Sequence, residues 1–165
     1  MKVKLAQLER AYLLRMRDWR NDNELRSRTR EYSLLNMVNQ EDWFEKVSRD
    51  RNNEMFAIHC EAGFIGVCGL CHIDWLNGTA EVSIYIGDSK QRGKGFGTEV
   101  LGLLKEKAFD EFNLHKLYAE IYSNNPASIA LFEKSGYTLE GTLRNHVYKC
   151  GEYRDALMYG LLKDD

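Results

Sequence analysis

The chain has one proline in 165 residues and no apolar run near the roughly 20 residues needed to span a bilayer. Those shortages exclude a proline-rich linker and a helical membrane anchor. With no low-complexity tract either, residues 1–165 read as a single compact α/β domain with a sizeable core. The opening Met1-Lys2-Val3-Lys4-Leu5 is strand-like rather than a signal peptide, so a cytoplasmic protein is expected, with no membrane and no nucleic-acid partner. Cysteine is scarce too, at four residues. Cys68-Gly69-Leu70-Cys71-His72 has the spacing of a c-type haem attachment site. Within a strand, however, positions three apart face opposite ways, so Cys68 and Cys71 are not expected to hold one haem or one metal. Cys60 and Cys150 show no ligand spacing. Asn77-Gly78-Thr79 reads as a hairpin turn rather than a glycosylation site.

Glycine is present where it has the most chemical meaning. Gln91-Arg92-Gly93-Lys94-Gly95-Phe96-Gly97-Thr98 places glycines at alternate positions between a β-like run and a helix-like one. Residues without a Cβ allow positive φ and let successive backbone N–H groups turn inward, while the following helix aims its positive dipole end at the same spot. A phosphate or pyrophosphate is the natural guest. A Walker loop is excluded because no Lys-Ser or Lys-Thr pair follows the glycines, and a dinucleotide fingerprint fits poorly because its third glycine position is Thr98.

The pattern that fits is R-x-x-G-x-G, read as Arg92, Gly95 and Gly97. Downstream, Asn125-Pro126-Ala127-Ser128-Ile129-Ala130-Leu131-Phe132-Glu133-Lys134-Ser135-Gly136-Tyr137 approximates N-x-x-[AS]-x-x-x-Y-x-x-x-G-[FY], with Phe132 in place of the tyrosine. In both motifs the chain resembles the GNAT superfamily of N-acetyltransferases, and the element order extends the likeness over nearly its whole length. The resemblance implies a mixed, mostly antiparallel central sheet flanked by helices, the acyl-CoA N-acyltransferase fold.

Periodicity predicts the same elements. A strand is expected over 3–8, a helix with Tyr12, Leu13, Met16 and Trp19 on one face, a short helical piece around Leu25, and a helix over 40–51. Strands over 55–61, 64–75 and 79–86 form a meander, and an amphipathic helix follows over 95–112. A strand over 114–122 leads to a short helix started by Pro126 and stopped at Gly136. A final hairpin, 137–149 with 153–162, turns around Gly151.

The resemblance implies acetyl-CoA as co-substrate, attacked directly by a primary amine. It also implies cofactor contacts from Gln91, Arg92, Gly93, Lys94, Gly95, Phe96, Gly97 and Thr98 at the pyrophosphate. Ser83, Ile84 and Tyr85 would pair their backbone with the pantetheine arm, beside Asn125, Ser128 and Phe132, with capping an equal role for Ser128. Strand alternation puts Thr79, Glu81, Ser83 and Tyr85 on one face, which makes Glu81 the candidate base. His59 and His72 are weaker candidates, and His115 reads as structural. Many relatives use a tyrosine at position 132 to protonate the leaving thiolate. Phe132 cannot, which leaves water or a phenol such as Tyr85, Tyr122 or Tyr137.

For the acceptor, Trp19-Arg20-Asn21 followed by Arg26 resembles a segment of acetyltransferases of nucleotide-linked amino sugars, with Arg20 and Asn21 as substrate contacts. Residues 1–30 carry nine Lys or Arg against four acids, a net of +5 that leaves −7 for the rest. That basic segment favours an anionic amine over a polyamine, while the 151–157 ending also resembles the polyamine and ribosomal-protein branches. The expected acceptor is therefore a nucleotide-linked amino sugar, with a polyamine or a protein amino terminus as alternatives. A catalytically weak CoA-binding sensor is a further one. A homodimer is also expected.

Overall fold

The computed structural model describes residues 2–165, so Met1 lies outside the described residues. Seven strands form one sheet in the order β1-β2-β3-β4-β5-β7-β6. They are β1 (Lys4–Gln7), β2 (Glu54–Cys60), β3 (Gly63–Asp74), β4 (Thr79–Ile86), β5 (Lys116–Tyr122), β6 (Thr138–Lys149) and β7 (Glu152–Leu162). Only β4 and β5 run parallel; every other neighbouring pair is antiparallel. This is the mixed, mostly antiparallel sheet that the family resemblance implied. Tight turns join β2 to β3, β3 to β4 and β6 to β7. Gly78 takes φ +65°, and the Asp74 carboxylate accepts the N–H groups of Leu76 and Asn77. Cys150 and Gly151, at φ 54° and 84°, supply the two left-handed residues that a two-residue hairpin loop requires.

Side-chain alternation along the strands fills two cores. On one face, Ala57, Phe64, Val67 and Tyr85 pack against α1 (Leu13–Asn21) and α3 (Met37–Arg49), with α2 (Asn23–Arg26) following α1. On the other, Ile58, Ile65, Cys68, Leu70, Ala80 and Val82 meet α4 (Phe96–Glu106) and α5 (Pro126–Lys134). Helix α4 buries Val100, Leu101 and Leu104 at the spacing that keeps them on one stripe. It ends earlier than the 95–112 pattern suggests, because residues 107–111 widen into a π-type turn in which the Phe112 N–H reaches the Lys107 carbonyl at 3.0 Å. Helix α3 begins at Met37 rather than 40, because Asn36 and Asn39 cap each other, side chain to backbone, at 3.0 Å both ways.

Cys68 and Cys71 do project to opposite faces. Cys68 lies in the α4 core, while the Cys71 thiol contacts the Met55 sulfur on the other side at 3.5 Å. Burial pushes the Cys71 thiol up to about 11.

Gly87, just past β4, fixes how α1 sits on the sheet. Its N–H reaches the Ile65 carbonyl at 2.9 Å, and the Trp19 ring lies directly over it, tilted against Phe64 at 4.9 Å between centroids. A β-carbon at Gly87 would overlap that ring. Gly87→Ala is expected to destabilise the protein by about 1–3 kcal/mol, the usual range for overpacking. Urea unfolding reads the change, and an unaltered midpoint would mean that Trp19 can move aside freely.

Candidate active site

Strands β4 and β5 pair at Thr79, Ala80 and Glu81, opposite Lys116, Leu117 and Tyr118, and then part. Beyond Glu81, the β4 edge facing β5 has no strand partner, while its other edge stays paired with β3 as far as Ile86. Two cavities of about 340 Å³ each open along the fork, sharing Arg28, Thr29, Ile84, Tyr85, Asn125 and Ser128 as common lining. One runs to the glycine loop and the other to Glu81.

At the loop end, Gly93 and Gly95 adopt φ +73° and +85°, and α4 starts immediately afterwards at Phe96. Among the described residues, the backbone N–H groups of Gly93, Gly95, Phe96 and Gly97 have no acceptor in the chain. Such a run of free donors at a helix N-terminus is an anion cradle. Arg92 lines the loop-end cavity. Its guanidinium donates to the carbonyls of Ile86 (2.9 Å) and Gly87 (3.3 Å) and pairs with Glu24 at 3.0 Å, so it braces the loop against β4 and α2. Lys94 reaches back to the Gln91 side-chain oxygen at 2.9 Å. Gly97 and Thr98 line the same cavity.

Helix α5 borders both cavities. Asn125 caps it, accepting the Ser128 N–H at 3.2 Å and donating to the Ser128 hydroxyl at 2.9 Å. Pro126 occupies the first turn, and Gly136 at φ +91° closes the helix. Phe132 lines the Glu81 cavity and meets the Tyr137 ring edge-on at 4.9 Å.

The second cavity centres on Glu81, a carboxylate whose residue is only 8% exposed. Arg30 grips both its oxygens, at 2.6 and 3.1 Å, and extends to Glu120 on β5 at 3.0 Å. His72 Nδ1 stands 2.8 Å from the same Glu81 carboxylate, brought there by a bulge in β3 that holds His72 at φ +50°. Burial opposes the Arg30 charge, but the two carboxylates outweigh it and hold the guanidinium above its ordinary pKa. Glu120 and Arg30 escaped the sequence reading. Their only signal was β5 alternation, which puts Glu120 on the Glu81 side, and nothing local directs Arg30 across 51 residues to Glu81.

Several expected contacts lie elsewhere. Asn21 is engaged with Leu35, donating to its carbonyl and accepting its N–H at 2.7 Å each, so it fastens a loop and lines neither cavity. Arg20 does line the Glu81 cavity, with its Nε buried and unpaired. Tyr137 is a core residue outside both cavities, its hydroxyl buried without a partner. Tyr85 presents its ring to the fork, but its hydroxyl is equally buried and unpaired. Burial raises both phenols above their ordinary pKa, which makes them poorer proton donors. His59 bonds the Tyr12 hydroxyl at 3.1 Å beneath α1.

A parted pair of parallel strands with an anion cradle at one end and a buried carboxylate at the other can hold an extended anionic ligand beside a proton acceptor. The model of the acetyltransferase (GNAT) domain family matches residues 2–138. Spermidine N(1)-acetyltransferase of Escherichia coli strain K12 is 29% identical over 155 residues, 94% of this chain and 83% of that protein. L-methionine sulfoximine/L-methionine sulfone acetyltransferase of Pseudomonas paraeruginosa is 31% identical over 135 residues, 79% of this chain and 76% of that one. The crystal structure of spermidine N-acetyltransferase from Vibrio cholerae in complex with CoA and spermine superposes with a TM-score of 0.92 at 26% identity, covering 99% of this chain and 96% of that one. A dodecameric structure of the Vibrio enzyme matches at 0.85 and 25% identity, covering 99% and 95%. The chain belongs to the GNAT acetyltransferase family. It is an N-acetyltransferase whose acyl donor is acetyl-CoA.

If the free N–H groups around Gly95 hold the donor's pyrophosphate, Gly95→Asp should weaken CoA binding at least about a hundredfold by setting a carboxylate against them. Gly95→Ala, which adds only backbone strain, should lose far less. Calorimetric titration with CoA measures both, and equal affinity in wild type and Gly95→Asp would remove the cradle from the site.

Proposed function

We propose that the chain acetylates a polycationic amine of the polyamine type, with Glu81 as the base. The observation that carries this reading is the pair of shielded carboxylates, Glu81 and Glu120, whose side chains are 11% and 17% exposed where β4 and β5 separate. They already bind one cation, the Arg30 guanidinium, and an ammonium is the matching class of guest. The relatives agree, since two of those described above are spermidine acetyltransferases.

The charge argument for an anionic acceptor fails at the level of individual pairs. Arg10 meets Glu41 and Glu45, Arg17 meets Asp18, Arg28 meets Glu24, and Arg30 meets Glu81 and Glu120. Glu41, Glu45, Glu81 and Glu120, all outside residues 1–30, thus neutralise Arg10 and Arg30, while Arg17 and Arg28 pair with acids of the segment itself. Arg20 keeps a second acceptor class in view, amines that also carry an acidic group, because its Nε faces no partner. Nucleotide-linked amino sugars and amino-acid analogues belong to that class.

Each chemical requirement has a group on hand. The free β4 edge at Ser83–Tyr85 would pair with the pantetheine amides as an added strand does, and a β4 N–H would stabilise the oxyanion. Glu81 would take the ammonium proton, directly or through water, so that the neutral amine attacks the thioester carbon. The thiolate released on C–S cleavage has an ordinary pKa near 8.5, so water can return its proton where Phe132 supplies no phenol.

Assembly is proposed as self-association without a fixed number of copies. Strand β6 ends the sheet and leaves Leu139, Leu143 and Tyr148 exposed.

Thiol release from acetyl-CoA, run with polyamines, amino-acid analogues, nucleotide-linked amino sugars and peptides with free amino termini, tests the acceptor. Turnover is expected with spermidine or spermine, and turnover confined to an acidic amine would defeat the polyamine reading. With the best amine, Glu81→Gln should lower kcat by about a hundredfold or more with CoA affinity intact. An unchanged kcat would remove the base role. Light scattering should show a mass above one chain, and a monomer at micromolar concentration would count against assembly.

A further inference from the structure

We propose that Arg30 is a specificity-determining residue, an internal counter-ion that occupies the acceptor's cation site and leaves it when the amine binds. The inference rests on the cationic-amine reading of the Glu81 cavity. Arg30 places its guanidinium between carboxylates of two different strands, with Nη2 2.6 Å from Glu81 and 3.0 Å from Glu120, and Nη1 3.1 Å from Glu81. Both carboxylates are shielded, whereas the Arg30 side chain is 54% exposed. The cation therefore comes to the acids from the solvent side, the route that an incoming amine must also use.

The backbone around Arg30 is tied down, and its side chain is the movable part. Lys149, a charged residue only 5% exposed, donates to the Glu31 carbonyl at 2.6 Å. Asn124 donates to the Ser27 carbonyl at 3.4 Å, and Asn21 brackets Leu35 from both sides. Rotation about the Arg30 side-chain bonds alone can empty the site, with no loop opening. An ammonium entering there replaces one positive charge by another, so the two acids are never left facing each other without a cation. A neutral or anionic ligand offers no such exchange and must leave Arg30 in place. The clamp thus selects for cationic amines and lowers their apparent affinity, because each must displace a resident competitor.

Removing the competitor tests the idea. Calorimetry in the presence of CoA should show spermidine binding about tenfold tighter to Arg30→Ala, and to Arg30→Gln, than to wild type, with KM falling alongside. Methylguanidinium should then inhibit Arg30→Ala competitively against spermidine and act far more weakly on wild type. Equal or weaker spermidine binding in both variants would overturn the proposal. So would restoration of a lost kcat by methylguanidinium, since that would make Arg30 a positioning residue for Glu81. Absence of acetyl transfer to any polyamine by wild type and variants alike would overturn the polyamine reading itself, whereas transfer without tighter binding in the variants would overturn the exchange alone.

Discussion

Everything at the site depends on β4 and β5 staying apart beyond Glu81. Adjacent parallel strands normally continue their ladder, because unpaired backbone groups in an interior are costly. Here the ladder stops after three residue pairs, while the opposite edge of β5 stays paired with β7 along its whole length. The cap of α5 at Asn125 and the buried ring of Phe132 fill the base of the opening. A free strand edge is open to an extended, amide-bearing ligand. The glycine loop lies at one end of this edge and the carboxylate pair at the other, so both cavities open along a single strand.

Charge in this protein is organised by local pairing and not by segment. Arginines that look like a basic amino-terminal patch reach acids on α3, β4 and β5, and Glu24 serves both Arg28 and Arg92. Apart from Arg28–Glu24, a pair four residues apart, these links join different elements. Together they join α2 to the glycine loop and the 27–36 segment to the sheet, so ion pairs hold the walls of the groove.

The phenols show how burial removes chemistry that a motif implies. Tyr137 ends its motif in the expected place but meets Phe132 edge-on with its hydroxyl enclosed, and Tyr85 turns its own hydroxyl away from any partner. A raised phenol pKa is of little use to a leaving thiolate. Glu81 keeps its contact with the cavity because the strand alternation that buries Ala80 and Val82 in one core directs it to the other side.

The order of strands and helices, the left-handed glycines at 93, 95 and 136, the Pro126 start of α5 and the side of β4 that bears Glu81 were all legible in the chain. Each is a matter of φ preference, capping or alternation acting over a few residues. The family likewise follows from two motifs in order. What the sequence could not disclose is how distant groups share their hydrogen bonds. Arg92 turned to brace its own loop, Asn21 went to Leu35, and Arg30 joined Glu81 to Glu120. Local conformational preference is encoded residue by residue, so the sequence by itself determined the elements and their order. The partner of a long polar side chain is set by which surfaces the packed sheet and helices bring within about 3 Å, and only the tertiary structure decided that.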